Sequence, residues 1–337
     1  MEQISKKIRV IGFIMTCFMV FYHCGDYDNS LAVNSIDSWF NTGFNHVFSI
    51  MGRIIMAWFF TVTGFLLMHG LSFANYPKKM KRRCFSLLIP YVLWQVIITI
   101  KQIIVNHAAF SLKGFLYQNF ALVKWPSDGA LWYVYAVFIL AVFAPILLVL
   151  FKNRNVGFIL LICIVAAIQF RGSITNATFQ AIINYGLLPN ILSYLPAYLI
   201  GAFYGKFYDE LKAADSLKYV LLLLFVSRLL FFADFSLIAV LIMPILGIYL
   251  FPNINRFADL KIYKLTFLMY ALHQPIIVDF RPHILNVMGL IIRPAVCMNL
   301  FNRIAILMID IMFAAVIYIV FKKVCPFILK LLTGGRI

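Results

Sequence analysis

The chain has 337 residues, of which 64% are hydrophobic and only 12% are charged, and its formal net charge at pH 7 is +17. Soluble domains carry roughly one quarter charged residues, so this composition excludes a water-soluble globular protein. The excess of Lys and Arg does not indicate nucleic-acid binding, because these residues fall mostly in short segments between apolar runs. The composition therefore predicts an integral membrane protein.

Apolar runs that approach the length of a membrane crossing recur along the whole chain. A helix needs roughly 20 mainly apolar residues to cross the hydrocarbon core, and about ten runs come near that length. They lie near 8–24, 47–71, 84–100, 130–151, 156–170, 187–205, 218–233, 235–251, 265–280 and 300–321. Several are short, so we expect tilted or re-entrant segments among them. The pattern predicts an all-α, polytopic transmembrane helix bundle that forms one domain over residues 1–337.

The distribution of basic residues predicts the orientation of these spans. If the N-terminus is cytoplasmic, most Lys and Arg fall on the inner side of the membrane, including the Lys322/Lys323 tail. The segment from Gly25 to Asn45 then lies outside, and it contains Asp but no Lys or Arg. We therefore expect an outward-facing loop in that segment and both termini in the cytoplasm.

Ionisable residues within apolar spans are the candidates for function, because each is costly in a bilayer unless it faces a protein interior or a wet cavity. Four stand out, namely His23, Arg53, Arg228 and His273. Arg228 lies near a span end, where a long side chain can reach the headgroups without any function. The two imidazoles can meet in one cavity and exchange protons near neutral pH, although each taken alone is more often an interfacial residue than a catalyst.

Among the remaining charges in or near the spans, Arg53 has two possible interpretations and four acidic residues have a structural one. Arg53 precedes the small-residue stretch 61–64, which permits close helix packing, so it is either a structural or a site residue. Four acidic residues are interpreted as loop or terminal charges: Glu2, Asp209, Asp234 and Asp310. The six cysteines show neither a CxxC pair nor the spacing of metal ligands, so no metal is expected.

Five short motifs occur in a fixed order along the chain. They are Phe21-Tyr22-His23, the segment 59–67 (FFTVTGFLL), Lys81-Arg82-Arg83 followed by Ile89-Pro90-Tyr91, Leu131-Trp132-Tyr133, and the segment 267–273 (FLMYALH). This ordered set resembles the acyltransferase-3 family of bacterial integral membrane O-acyltransferases. Two positions depart from the family pattern: Gly12 stands where the family usually has Arg, and Thr63 stands where it usually has Ser. Arg9, roughly one turn earlier on the same helix face, can partly replace the missing Arg.

The resemblance implies an enzyme of the cell inner (cytoplasmic) membrane, of the stand-alone type without a fused esterase-like domain. It implies transfer of an acetyl or other short acyl group from cytoplasmic acyl-CoA to a hydroxyl of a cell-surface or exported glycan. Acetyl-CoA is then the acyl donor, and a glycan or lipid-linked sugar is the acceptor. The alternatives are a transporter of a glycan or acylated metabolite and an inactive scaffold in glycan synthesis.

The resemblance also implies roles for individual residues. His23 is the expected general base, with an acyl-imidazole on the same ring as a variant. Around it, Arg53 is expected to orient the acceptor or stabilise the oxyanion. His273 and Tyr270 are expected to line the cavity as a second proton-handling pair, with Tyr270 and Thr63 at the substrate. Asp26 would fix the His23 tautomer if the first helix continued that far. The residues expected to hold acyl-CoA are Lys81, Arg82, Arg83, Arg9 and Trp132. For the basic cluster the alternative is a plain positive-inside anchor, and for Trp132 it is an aromatic-belt anchor.

Overall fold

A computed structural model describes residues 2–25, 32–122, 124–212, 242, 244–248, 251, 257–288, 290–292 and 294–336. Of these residues 82% are helical, and none of them is in a strand. The predicted all-α class is therefore confirmed. The predicted spans at 218–233 and 235–251 lie almost wholly outside the described residues, as does Arg228.

The described residues form a succession of helices. In chain order they are α1 (Glu2–His23), α2 (Ser35–Met68), α3 (Tyr76–Arg83), α4 (Ile89–Asn106), α5 (Leu112–Phe120), α6 (Trp132–Val142), α7 (Ala144–Leu150), α8 (Arg154–Gln169), α9 (Ala177–Ile183), α10 (Leu188–Lys206), α11 (Tyr208–Lys212), α12 (Thr266–Met288), α13 (Ala295–Val324) and α14 (Pro326–Leu332). A π-helical turn, Cys84–Leu88, joins α3 to α4. Pro90 lacks the amide hydrogen that a regular helix would donate to the residue 86 carbonyl, which accounts for a widened turn at this point.

Three helical stretches in the described part of the chain are long and apolar enough to cross a membrane: Ser35–Met68, Tyr76–Asn106 and Ala295–Val324. Two bent pairs raise the number to five if each pair is one span, with bends of 53° between α6 and α7 and 75° between α9 and α10. Pro145 and Pro189 lie in the first turns after these breaks, where a missing amide hydrogen costs nothing. Ten spans and cytoplasmic termini stay predictions.

The outward-facing loop predicted between Gly25 and Asn45 is wrong in its second half, because α2 already begins at Ser35. The Asn34 side chain caps this helix by accepting a hydrogen bond of 2.9 Å from the Asp37 amide. Hydropathy did not reveal this first part of α2, because its buried side chains include Asp37 and Asn41.

The chain divides into two compact units, and the boundary lies within α2. Unit 1 comprises Met1–Ile55 and Asn253–Ile337. In its core, α1, α12 and α13 pack together through the buried side chains of Val20, Cys24, Ile276, Ile277 and Ile306. This packing fixes the end of α1 beside the middle of α12.

Unit 2 comprises Met56–Pro252, and it contains a very close helix crossing. The second part of α2 meets α10 backbone to backbone: a Cβ at Gly64 would collide with the carbonyl oxygen of Tyr198, and one at Gly201 with that of Thr61. A Cβ at Gly205, one turn further along α10, would likewise collide with the carbonyl oxygen of Phe65. The predicted close packing at 61–64 is confirmed. The prediction of a single domain over 1–337 stays a prediction.

Candidate active site

His23 and His273 lie side by side in unit 1. His23 is the last residue of α1 and is exposed, whereas His273 lies inside α12 and is fully buried. Their ring centroids are 5.0 Å apart, and the ring planes make an angle of 43°. The structure thus brings the two predicted imidazoles together, one accessible and one enclosed.

The hydrogen bonding of His273 defines its neutral tautomer. Its Nδ1 lies 2.7 Å from the backbone carbonyl oxygen of Tyr270. A carbonyl only accepts, so Nδ1 carries the hydrogen and Nε2 carries the lone pair. Nε2 is buried and has no hydrogen-bond partner among the described residues. The ring can therefore accept a hydrogen bond or a proton at Nε2.

Two further predicted residues, Tyr270 and Arg53, differ in their relation to this pair. Tyr270 is buried, and its ring centroid is 6.0 Å from that of His273. Arg53 is exposed and makes no hydrogen bond or ion pair to the described residues. Its neighbour Gly52 packs against the ring of Tyr22, which adjoins His23. The structure therefore brings the α2 backbone next to Arg53 close to the end of α1, without a contact from its guanidinium.

The expected helical continuation of α1 to Asp26 is wrong. α1 ends at His23, and Gly25 takes a left-handed backbone with φ of 73°, which ends an α-helix. Asp26 itself lies outside the described residues. The proposed role of its carboxylate on the His23 tautomer therefore loses the helical geometry on which it depended.

Arg9 has a partner of its own in unit 1. Its Nη1 donates to the Asp259 carboxylate at 3.0 Å and to the Ala258 carbonyl at 3.3 Å. A Cβ at Gly12 would meet no atom within 4 Å, so the chain leaves room at the position of the usual family Arg. Arg9 is thus engaged in an ion pair rather than directed into that space.

The basic cluster on α3 belongs to unit 2, and its members differ in their surroundings. Lys81 and Arg82 are exposed, whereas Arg83 is half-buried. The adjacent Lys79 has a structural role, since its Nζ donates to the carbonyls of residues 67 and 69 at 2.9 and 2.5 Å, at the end of α2. Of the three predicted residues in the cluster, Arg83 is the one that is partly enclosed.

Thr63 and Trp132 are also in unit 2, where Thr63 is half-buried and Trp132 is buried. The Oγ1 of Thr63 lies 2.5 Å from the hydroxyl oxygen of Tyr133, which in turn donates to the Phe59 carbonyl at 2.8 Å. Since the Tyr133 hydrogen is used in that second bond, the Thr63 hydroxyl is the donor in the first. Trp132 is buried against the rings of Phe60, Trp125 and Tyr194. This environment is that of an interior wall rather than of an aromatic belt.

Two buried charges in α13 were missed or misinterpreted from the sequence. Asp310 is not a loop or terminal charge: it is fully buried, and neither carboxylate oxygen has a hydrogen-bond partner among the described residues. Arg303 is 1% exposed and was not singled out. Both lie within the predicted span 300–321, so the rule that selected His23 and Arg53 would also have selected them.

Comparison with known proteins adds one match. A family model described as an acyltransferase domain, acyltransferase 3, matches residues 8–321 of the chain. No curated protein and no solved structure matches it. The matched segment includes every predicted site residue.

Proposed function

Because the chain belongs to the acyltransferase-3 family, we propose that it transfers an acetyl or other short acyl group from cytoplasmic acyl-CoA to a hydroxyl of a cell-surface or exported glycan. The family match makes the chain an acyltransferase, and its apolar helices make it a membrane protein. The observation that carries the finer proposal is the pair of His23 and His273, with ring centroids 5.0 Å apart.

His23 is the proposed general base. Its ring is accessible at the end of α1, where an acceptor hydroxyl can approach it. One ring nitrogen takes the hydroxyl proton while the oxygen attacks the acyl carbonyl carbon. The carbon–sulfur bond of the thioester then breaks, and the coenzyme thiolate takes up the proton and leaves as the free thiol.

His273 supports the base from the buried side. With Nδ1 donating to the Tyr270 carbonyl, its Nε2 is an acceptor, and its ring centroid lies 5.0 Å from that of His23. It can therefore hold the protonated His23 in position or take over its proton while the ester forms. Tyr270 is the proposed wall of this cavity, and Arg53 is the proposed oxyanion or acceptor contact.

The basic cluster is the proposed binding site for the phosphates of acyl-CoA. Lys81 and Arg82 are exposed and free to meet an anionic ligand, and guanidinium groups match phosphate oxygens well. Arg83 is half-buried, which supports a contact at a partly enclosed surface rather than a general membrane anchor. Thr63 and Trp132 are proposed to line the acyl path, and no role is proposed for Arg9 beyond its ion pair.

The test compares glycan O-ester content in producing cells and acetyl-CoA affinity of the purified protein for the wild type and matched variants. We expect His23→Ala to lower ester content by about 100-fold or more, the effect of a lost general base. The control His46→Ala replaces an exposed histidine of the same unit and is expected to leave ester content unchanged.

The donor site is tested separately with the double variant Arg82→Ala/Arg83→Ala. We expect about a tenfold or greater loss of acetyl-CoA affinity, whereas Lys78→Gln, which removes an exposed charge in the same helix, should leave the affinity unchanged. Normal ester content in the His23 variant at equal membrane level would refute the base assignment. A wild-type protein that binds no acetyl-CoA would instead favour the transport or scaffold alternative.

A further inference from the structure

We infer that Arg303 is a positioning residue for His23: its buried guanidinium binds the carboxyl end of α1 on both sides of that imidazole. The inference rests on the proposed acyl transfer, in which His23 is the base. Sequence motifs do not indicate the role, because Arg303 is on α13, remote in sequence from α1.

The first part of the argument is the contact with α1. Nη1 of Arg303 donates to the carbonyl of Phe21, and Nη2 donates to the carbonyl of Gly25 at 2.7 Å. These carbonyls belong to the second residue before His23 and the second residue after it. A displacement of the helix end that moved the imidazole would therefore stretch at least one of the two hydrogen bonds.

The second part of the argument is that the carbonyls at the carboxyl end of α1 need hydrogen-bond donors from outside the helix. The last carbonyls of a helix have no amide donor within it, and the helix dipole places partial negative charge there. The Gly25 amide bonds the Tyr22 carbonyl at 3.1 Å, so it does not serve the Phe21 carbonyl as a regular turn would. The Arg303 cation supplies the donor and the opposite charge.

The third part is the anchoring of Arg303 itself. Its Nε donates to Oδ1 of Asn299 at 2.6 Å, and Nδ2 of Asn299 donates to Oδ1 of Asn41 and of Asn45, each at 2.7 Å. The guanidinium carbon also lies 4.3 Å from the centre of the Phe48 ring. We call Asn41, Asn45, Asn299 and Arg303 the polar seam. It connects α2 and α13 and leaves the guanidinium little freedom.

The polar seam explains why an Arg is needed at this place. The planar guanidinium, with five donor hydrogens, reaches two backbone carbonyls and the side-chain amide oxygens of Asn299 and Asn45, whereas an ammonium group has only three donor hydrogens on one nitrogen. A glutamine has neither the charge nor the reach. We therefore expect Arg303→Lys to retain part of the function and Arg303→Gln to lose it.

The test uses Cys24, which adjoins His23 and is fully buried. In a protein whose other five cysteines are Ser, thiol-reagent labelling of Cys24 reports loosening of the α1 end without any reference to activity. We expect Arg303→Gln to raise the labelling rate about tenfold and to lower kcat for acyl transfer about 100-fold, with KM for acetyl-CoA unchanged. Arg303→Lys is expected to fall between this variant and the wild type in both quantities.

Lys323→Gln is the matched control, because it removes an exposed cation from the same helix, and it should change neither quantity. A folded Arg303→Gln protein with wild-type Cys24 labelling would overturn the inference, as would an unchanged kcat. If that variant does not reach the membrane, Asn45→Ala removes one acceptor of the guanidinium, 3.3 Å from Nη2. We expect it to raise labelling about threefold, and no rise would overturn the inference.

The outcomes separate this inference from the proposed function. If His23→Ala keeps full activity, the base assignment fails, whatever Cys24 labelling shows in the Arg303 variants. If His23→Ala is inactive but Cys24 labelling does not depend on Arg303, the base assignment stands and the positioning role fails.

Discussion

Asp37 orders the start of α13. Its carboxylate accepts hydrogen bonds from the amides of Ala295 at 2.6 Å, Val296 at 3.0 Å and Val33 at 3.2 Å. The first amides of a helix have no partner within it, and the preceding Pro294 offers no side-chain acceptor. A buried carboxylate at this point satisfies these donors and matches the positive end of the helix dipole.

We predict that Asp37→Asn lowers the free energy of unfolding by about 1–3 kcal/mol, because the amide removes the charge and leaves one acceptor oxygen for the clustered donors. Thermal unfolding in detergent measures the change. Asp259→Asn is the control: this carboxylate is 70% exposed in its ion pair with Arg9, so its loss should cost less than about 1 kcal/mol. Equal losses in the two variants would refute the capping role of Asp37.

At the scale of secondary-structure elements, the crossing of α2 and α10 depends on glycines. Gly201 and Gly205 form a G-x-x-x-G pattern that faces Thr61, Gly64 and Phe65. In a bilayer, helices gain little from apolar burial, since lipid is as apolar as the side chains, so association relies on close packing. The sequence prediction identified the stretch on α2 but did not single out its counterpart on α10.

Gly64→Ala is predicted to lower the free energy of unfolding by about 1–3 kcal/mol, because the added methyl group meets backbone atoms of α10 that cannot move aside cheaply. Gly43→Ala in the same helix is the control, since a Cβ there meets nothing within 4 Å. It is expected to be neutral or stabilising by up to about 1 kcal/mol, from its better helix propensity. Chemical unfolding of both variants in one detergent distinguishes them, and equal stability would show that the crossing is not tight.

On the scale of the whole molecule, the orientation in the membrane is the open question that experiment can answer directly. The positive-inside distribution predicts that the start of α13 lies outside and that its end, with Lys322 and Lys323, lies in the cytoplasm. Cys297 and Cys325 lie near these two ends, and both are free thiols. They therefore provide native reporters for the two sides.

We predict that a membrane-impermeant maleimide labels a single-cysteine Cys297 protein in intact cells but does not label the corresponding Cys325 protein. Cys297 is exposed, and Cys325 is half-buried, so the second thiol must first be shown to react after permeabilisation. The reverse pattern would invert the predicted topology and would place His23 on the cytoplasmic side.

Local patterns predicted most of the helical framework. Except for the two that lie almost wholly outside the described residues, each predicted span falls on helical residues, and the run 130–151 is divided between α6 and α7. A helix satisfies its backbone hydrogen bonds within itself, which is why long apolar runs favour it. Boundaries were predicted less well where polar residues are buried: α2 begins early because Asp37, Asn41 and Asn45 face partners on α13. Hydropathy assigns such residues to a loop, because it does not register a partner from a distant segment.

The sequence by itself determined the membrane character, the all-α class, the family and the two candidate imidazoles. Composition, the length of the apolar runs and the order of the motifs can all be read from the sequence without knowledge of the packing. Only the tertiary structure decided that His23 lies against His273, that α1 stops before Asp26, and that Arg303 and Asp310 are buried. A charge is tolerated in the interior when its partners converge on it, as the carbonyls of α1 and the polar seam converge on Arg303. Apart from Asn299, those partners lie on α1 and α2 or between them, 258 to 282 residues before Arg303 in the chain, so their convergence depends on packing that no local pattern encodes.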